Sequence, residues 1–476
     1  MTDLHWLTAT EVRELYARKE LSPVELMDAV LDRLEATEPA LNAFVTITAE
    51  QARDQAVQAE RRMANTPFDE LPPLTGLPIT VKDLIDTAGV RTTYGTVTFS
   101  DHVPGHDSAD WARLKAAGAI LVGKTTTPEF GMLGVTDSRL TGVTNNPWNL
   151  AKTAGGSSGG AAASVAAGVA PLAWGNDGGG SIRVPASCCG TVGLKPSAGR
   201  IPSSEAAYDG VSSSGPLTRS VADAALLLSV TAGPHPGDPL SLPAADPRLF
   251  LDAVGHPDLT GARIAAATHF GLGPIAADVE RTFREALDRL RDLGAVVTEV
   301  EMQLPDPIDY FLAFWSPSAA DFVDQLRAQA GWDDGLLHPI MLEIADHARG
   351  MSAIDYWRTA TETRSKIAAG FNAALNGRDL LVTPTMPLVA FDHPGALAGN
   401  ADVDGQPVRR PALDFHRLTE PPSHAGLPAL TLPCGFSSGL PVGLQFIGAA
   451  HADAQVLRMA AAYEAATPWH TRHPHI

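Results

Sequence analysis

Apolar positions along the chain follow two periods. Near the N-terminus Leu26, Ala29, Val30 and Leu34 recur at helical spacing. Ser22-Pro23-Val24-Glu25 opens that run as a capping box with proline at the first helical position, and Thr8-Ala9-Thr10-Glu11 has the same S/T-x-x-E form. The first sixty-odd residues are therefore predicted to be helical, up to the break at Leu71-Pro72-Pro73. Beyond it the pattern changes to short continuous apolar runs, Leu77 to Val81 and Ala119 to Val122, each the length of a strand buried on both faces. A helix from Trp111 to Ala117 precedes the second. The later helix from Asp278 to Leu293 carries Val279, Phe283, Leu287 and Leu290 on one face and stops at Gly294, before a strand from Val296 to Val300. From about 305 to 375 the pattern is helical and aromatic (Tyr310, Phe311, Phe314, Trp315, Trp332, Tyr356, Trp357), and strand character returns at Leu380-Leu381-Val382. Alternation of this kind predicts an α/β chain whose sheet is covered on both faces.

Composition narrows the partners. The 476 residues are 45% hydrophobic and 19% charged, enough to bury a large core, and 35 basic against 54 acidic residues leave a formal charge of −19. An acidic chain of this kind argues against nucleic acid and anionic membranes as partners. No run reaches the length of charge-free apolar sequence that spans a bilayer, and Met1 to Thr10 lacks the pattern of a signal peptide. The three cysteines, Cys188, Cys189 and Cys434, fit neither a disulfide framework nor a four-ligand metal site, so the expected compartment is the cytoplasm.

The candidate chemistry lies between Thr153 and Gly190. Two small-residue turns, Gly155-Gly156-Ser157-Ser158-Gly159-Gly160 and Gly178-Gly179-Gly180-Ser181, flank an Ala-rich helix from Ala161 to Ala167. Such turns present a hydroxyl together with backbone N–H groups, as acyl transfer requires, although glycine and alanine also serve close helix–sheet packing. A serine needs a base. Of the seven lysines, Lys82 ends an apolar strand, where burial would favour the neutral amine; an ion pair with Asp83 or Asp86 would instead keep it charged and inert.

Three blocks, Gly76-Leu77-Pro78-Ile79-Thr80-Val81-Lys82-Asp83, Gly155 to Gly160, and Asp177-Gly178-Gly179-Gly180-Ser181-Ile182-Arg183-Val184-Pro185-Ala186, resemble the hallmarks of the amidase signature family. The similarity extends through Gly193-Leu194-Lys195-Pro196 and Thr383-Pro384-Thr385 to Gly426-Leu427-Pro428-Ala429 and Gly443-Leu444-Gln445. In that family the two serines are twenty-four positions apart, as are Ser157 and Ser181 here (181 − 157 = 24). The resemblance implies an α/β/α sandwich around a mixed twisted sheet, in one domain over 1–476. Its parts would be an N-terminal helical arm (1–70), the signature core (71–304), a helical lobe (305–378) and the C-terminal part of the core (379–476). It further implies a Ser–cisSer–Lys triad of Lys82, Ser157 and Ser181, an oxyanion hole at Gly178, Gly179, Gly180 and Ser181, and a loop braced by Asp177 and Arg183. Ser423 and Thr126 stand where many relatives have asparagine, which bears on substrate preference.

The expected activity is metal-independent hydrolysis of a small or aryl amide through an acyl-enzyme, with no cofactor. The partner is a small-molecule amide, bound by a monomer or homodimer in an apolar pocket that includes Phe130, Gly131, Met132 and Trp315. The alternatives are a glutamine-amidotransferase subunit of a tRNA-charging complex, a carbamate or nylon-oligomer hydrolase, and an ATP-binding protein using Gly118 to Thr125. That last stretch satisfies G-x-x-x-x-G-K-[ST], but its Ala-Ile-Leu-Val interior is expected to be a strand. Gly155 to Gly159 satisfies the G-x-S-x-G elbow, yet Asn145 to Lys152 is expected to be loop. His106, His347 and His424 show no metal-ligand spacing, and His470, His473 and His475 are expected on a solvated tail.

Overall fold

Both capping boxes form. In the computed structural model, which describes residues 4–203, 210–329, 331–393 and 399–476, Thr8 and Ser22 accept from the backbone of Glu11 and Glu25, opening the helices Ala9–Arg18 and Pro23–Leu41. The arm also holds a strand that the helical reading missed, Phe44–Ile47. Its four residues are too few for a period to register, and its identity comes from pairing antiparallel with Gly123–Thr125.

Eleven strands form the main sheet: β1 (Phe44–Ile47), β2 (Pro78–Lys82), β3 (Ile120–Thr125), β4 (Leu172–Asp177), β5 (Val192–Lys195), β6 (Ser213–Thr218), β7 (Arg263–Ala266), β8 (Val296–Glu299), β9 (Leu380–Pro384), β10 (Ala429–Ser437) and β11 (Leu440–Ile447). Their order is β1-β3-β2-β4-β6-β5-β10-β11-β9-β7-β8. The β3-β2-β4 and β9-β7-β8 groups are parallel and the other pairs antiparallel, so the sheet is mixed. Helix Gly159–Ala166 packs on β2, β3, β4 and β6, and helix Arg183–Cys189 on β5, β10 and β11. The first is built of small residues because the space demands it: a Cβ on Gly160 would lie 2.5 Å from both Ala43 O and Thr126 N. Helices Ala277–Asp292 and Asp453–Ala466 pack on the β10–β11 region.

The lobe is helical as expected, with Pro307–Arg327 and Pro339–Gly350 packed together over Val323, Leu326, Met341 and Ile344. Phe130 and Met132 pack against the same cluster, which places the lobe over the C-terminal ends of β2 and β4. Gly118 to Thr125 is a turn leading into β3, and Lys124 is a buried strut bonded to Ile85 O, Thr92 Oγ1 and Thr87 Oγ1 rather than a phosphate ligand. Asn145 to Lys152 is not simply a loop: Asn145–Asn146 and Asn149–Thr153 form a small hairpin outside the main sheet.

Candidate active site

Lys82 is the last residue of β2, and the adjacent parallel strand β4 ends at Asn176 and Asp177. Carboxyl ends of parallel strands are where open α/β sheets hold ligands. Lys82 is fully buried; its Nζ donates to Ser157 Oγ at 2.7 Å and to Asn176 Oδ1 at 2.6 Å. Burial pulls the lysine pKa from 10.5 down to about 7, with the Asp177 charge opposing. The alternative ion pair does not form. Side chains alternate along an extended chain, and Asp83 turns away to accept from the Thr93 backbone at 2.9 Å and from the Thr93 hydroxyl. Asp86 accepts from Tyr94 at 2.7 Å and faces His106 at 3.6 Å.

Ser157 follows a cis peptide from Gly156. Gly156 runs so close to the Val135 backbone that a Cβ would sit 2.7 Å from it, and Gly155 (φ +73°) lies as tightly on Pro185. The Ser158 N–H donates to Ser181 O at 3.1 Å and joins the two serine turns. The second turn hangs on Asp177, whose carboxylate accepts from Gly180 N at 2.7 Å, Ile182 N at 3.1 Å, Arg183 Nε at 2.9 Å and Arg183 Nη2 at 2.8 Å. Burial alone would raise this carboxyl, but Arg183, joined by the Lys195 charge and the Ile182 N–H, holds the pKa below its usual value. Arg183 is itself fixed by Gln445 Oε1 and Ser423 Oγ, both at 2.7 Å.

One expectation is corrected here. The Gly180 N–H is committed to Asp177, which leaves Gly178, Gly179 and Ser181 as candidate oxyanion donors. Ser423 and Thr126 do not line the cavity: Ser423 helps brace Arg183, and Thr126 bonds Thr144 Oγ1 at 2.6 Å beneath the first turn.

Ser157 and Ser181 open into one cavity of about 150 Å³, lined also by Asn176, the Gly178–Gly180 turn, Leu84, Phe130, Gly131, Met132, Val184, Phe311, Trp315 and His416. Phe130, Gly131, Met132 and Trp315, expected in a substrate pocket, all line this cavity. Trp315 overhangs the turn so closely that a Cβ on Gly178 would lie 2.8 Å from its ring. Its Nε1 donates to Glu420 Oε1 at 3.2 Å. Glu420 is fully buried and also faces His424 Nε2 at 2.8 Å and His416 Nδ1 at 3.7 Å. Burial would raise its pKa, but the two histidines prevail and bring it to about 2.

Asn176, His416 and Glu420 escaped the sequence reading. Asn176 directly precedes the third block, and the i, i+4, i+8 spacing of His416, Glu420 and His424 is a legible signal of side chains on one face. The remaining candidates stay outside the site. Cys188 and Cys189 are buried free thiols at the end of the Arg183–Cys189 helix, His106 and His347 are exposed, and His473 stacks on Trp6 at 3.7 Å instead of standing in solvent. The side chain of His470 lies outside the described residues. Among the described residues no three His, Cys, Asp or Glu side chains could hold a metal ion, and no helix is long and apolar enough to cross a membrane.

Comparison with known proteins agrees with this architecture. The family model described as Amidase matches residues 25–457. The chain is 38% identical over 499 residues to a glutamyl-tRNA(Gln) amidotransferase subunit of Roseiflexus sp. (strain RS-1), covering 100% of this chain and 99% of that protein. It is also 38% identical to an acylamidase of Rhodococcus erythropolis, covering 99% and 98%. Among solved structures, a bacterial aryl acylamidase of the amidase signature enzymes superposes with a TM-score of 0.91 at 30% identity, covering 98% and 97%. The 6-aminohexanoate cyclic dimer hydrolase bound to substrate gives 0.86 at 30%, covering 99% of each chain. The corresponding glutamyl-tRNA(Gln) amidotransferase chain of Thermotoga maritima gives 0.77 at 29%, covering 98% and 96%.

Proposed function

The chain belongs to the amidase signature family and is an amide-hydrolysing enzyme, and on that premise we propose that Lys82, Ser157 and Ser181 form its catalytic relay and that its substrate is a small apolar acyl or aryl amide. The observation that carries the proposal is the contact between a fully buried, carboxylate-free lysine and Ser157 at 2.7 Å, in the cavity that Ser181 shares.

In the proposed mechanism neutral Lys82 keeps one N–H on Asn176 Oδ1, which turns its lone pair toward Ser157. Ser157 passes its proton to Nζ and takes the proton of Ser181 as Ser181 Oγ bonds to the substrate carbonyl carbon. The carbonyl electrons move to oxygen, where the backbone N–H groups of Gly178, Gly179 and Ser181 are the candidate donors. Collapse breaks the C–N bond, and the relay returns the proton to the leaving amine. Water then cleaves the Ser181 ester along the same path.

The cavity supports the substrate class. At about 150 Å³ it is of the order of a cavity that takes a benzene-sized guest. Its described lining includes no Asp, Glu, Lys or Arg. The α-ammonium and α-carboxylate of glutamine would be stripped of water there with no Asp, Glu, Lys or Arg among those lining residues to pair with. The amidotransferase relatives at 38% identity favour a second reading, release of ammonia from glutamine alongside a partner chain. Three free thiols fit action in the cytoplasm.

The test is initial-rate hydrolysis of benzamides, acetanilides, matched activated esters and glutamine by the wild-type protein, Ser181→Ala and Lys82→Ala. The aryl amides should turn over and glutamine should not. Ser181→Ala should be inactive on both amide and ester. Lys82→Ala should lose about 10²–10⁴-fold on the amide and far less on the ester, whose leaving group needs no proton. Equal losses on the two in a folded Lys82→Ala variant would refute the relay, and glutamine turnover without aryl amide turnover would establish the second reading.

A further inference from the structure

The catalytic cavity does not end at Asn176. A second cavity of about 220 Å³ adjoins it, and Leu84, Asn176 and Ser212 line both. Three elements enclose it: the segment that follows β2, the start of the helix Ala109–Ala116, and the start of β6. β6 pairs antiparallel with the end of β4, so that Ser213 and Ser214 stand opposite Asp177 and Asn176. Apart from Asn176, none of its described lining residues takes part in the proposed relay.

Its chemistry is opposite to that of the first cavity. Phe130, Met132, Phe311 and Trp315 line the catalytic cavity alone, whereas the second is rich in hydroxyls and includes two carboxylates, Asp86 and Asp110. Three of the hydroxyls have spent their protons: Tyr94 donates to Asp86 Oδ1 at 2.7 Å, Ser108 to Asp110 Oδ1 at 2.6 Å, and Ser213 to Ser214 O at 3.1 Å. What these oxygens have left is acceptor capacity. Asp110 is well supplied, since it also accepts from Trp111 N at 2.9 Å, at the N-terminus of its helix, and from Trp174 Nε1 at 2.8 Å. Asp86 is less so. Its side chain is 22% exposed and its Oδ2 faces the exposed His106 ring at 3.6 Å. Among the described residues no lysine or arginine forms an ion pair with Asp86. Lys124, whose charge is felt at Asp86, gives its N–H groups to Ile85 O, Thr87 and Thr92 and has Asp83 as its foremost carboxylate. A cavity that offers acceptors and a carboxylate suits a cation that brings its own donors, and an ammonium carries three.

We propose that this second cavity is the subsite for the amine half of the substrate and that Asp86 binds a primary ammonium carried on that half. This rests on the amidase reading and narrows it to amides formed between an apolar acid and a diamine, from which water releases the acid and the free diamine. The orientation follows from the relay. The leaving amine takes its proton from Lys82 by way of Ser157, and Asn176, bonded to Lys82 Nζ at 2.6 Å, belongs to the wall that the two cavities share. The acyl group is left to the apolar end. A carboxylate on the amine half is disfavoured, because it would place an anion beside Asp86.

The test is calorimetric binding to Ser181→Ala, which reads the subsite without turnover. N-alkylbenzamides of increasing chain length are compared in pairs, one ending in an ammonium and its isostere in a methyl, and the pairs are repeated with the tail moved to the benzoyl ring. At the chain length that reaches Asp86 the N-linked ammonium ligand should bind about tenfold more tightly than its isostere, the size of one hydrogen bond between charged partners. Adding Asp86→Asn should abolish that preference and leave binding of the methyl ligand unchanged, which separates a lost contact from a lost fold. Equal binding of the N-linked pairs at every length, an ammonium preference that survives Asp86→Asn, or a preference confined to ring-linked tails would overturn the proposal. Hydrolysis of the methyl-ended amides by the wild-type protein reads the amidase proposal separately, whichever way the pairs bind.

Discussion

Replacing Asn176 by Asp tests the electrostatics of the relay without removing any member of it. With a pKa of about 7 rather than 10.5, Lys82 is about half neutral at pH 7, whereas an ordinary lysine would be neutral in about 3 of 10,000 molecules. Burial therefore makes the base available by a factor of about 10³. The sign follows directly: the amine must be neutral to accept the Ser157 proton, so the rate should rise tenfold per pH unit below about 7 and level above it. Asn176 Oδ1 sits 2.6 Å from Nζ. Asn176→Asp would place a carboxylate at that contact with little change of shape, and an opposite charge at such range stabilises the ammonium by about 1–3 pK units. The ascending limb should move upward by that amount. Activity at pH 7 should fall about 10–10³-fold and recover toward pH 9–10. The assay is a pH–rate profile of kcat/KM on one amide substrate from pH 5.5 to 10, for wild type and Asn176→Asp. A limb that stays near pH 7, with the rate lowered equally at every pH, would show that Asn176 only shapes the site and that Lys82 ionisation does not control the reaction.

Other outcomes follow from the bracing of the second turn. Arg183→Ala leaves the Asp177 carboxylate buried and unpaired, so chemical denaturation should show a loss of about 3–5 kcal/mol; a loss under 1 kcal/mol would show that Asp177 is not held by that pair. Gly179→Ala drives a methyl to 2.0 Å from Glu420 Oε2, and since Glu420 Oε1 is held by Trp315 and His424 and Gly179 O by Thr419, the variant should lose most of its kcat while remaining folded by circular dichroism. Unchanged kcat would mean that the turn can shift away from Glu420 at no cost to catalysis.

The candidate site was legible where its residues are contiguous and illegible where they are brought together by the sheet. The blocks around Lys82, Ser157 and Ser181 each carry their own turn chemistry in sequence, and the caps at Thr8 and Ser22 are local patterns that local physics satisfies. Whether Lys82 meets a carboxylate or an uncharged partner was not a local matter. It depended on the pleat sending Asp83 to the other face and on β4 delivering an uncharged amide, Asn176, to Nζ. Gly180 looked equivalent to its neighbours until its N–H was found on Asp177, and Ser423 could be assigned to Arg183 only once the chain had closed over 240 residues of separation. β1 stayed hidden because four residues hold no period and an edge strand is defined by its neighbour. The short hairpin at Asn145 to Thr153 was hidden by its polar composition.

The position of the acyl group decides which serine is the nucleophile. The protein is mixed with an activated ester of a small aryl acid, quenched in acid within the first turnovers, digested, and mapped by tandem mass spectrometry. A single acyl adduct is expected, on Ser181 and absent from Ser181→Ala. An adduct on Ser157 that persists in Ser181→Ala would contradict it and make the first serine turn the nucleophile.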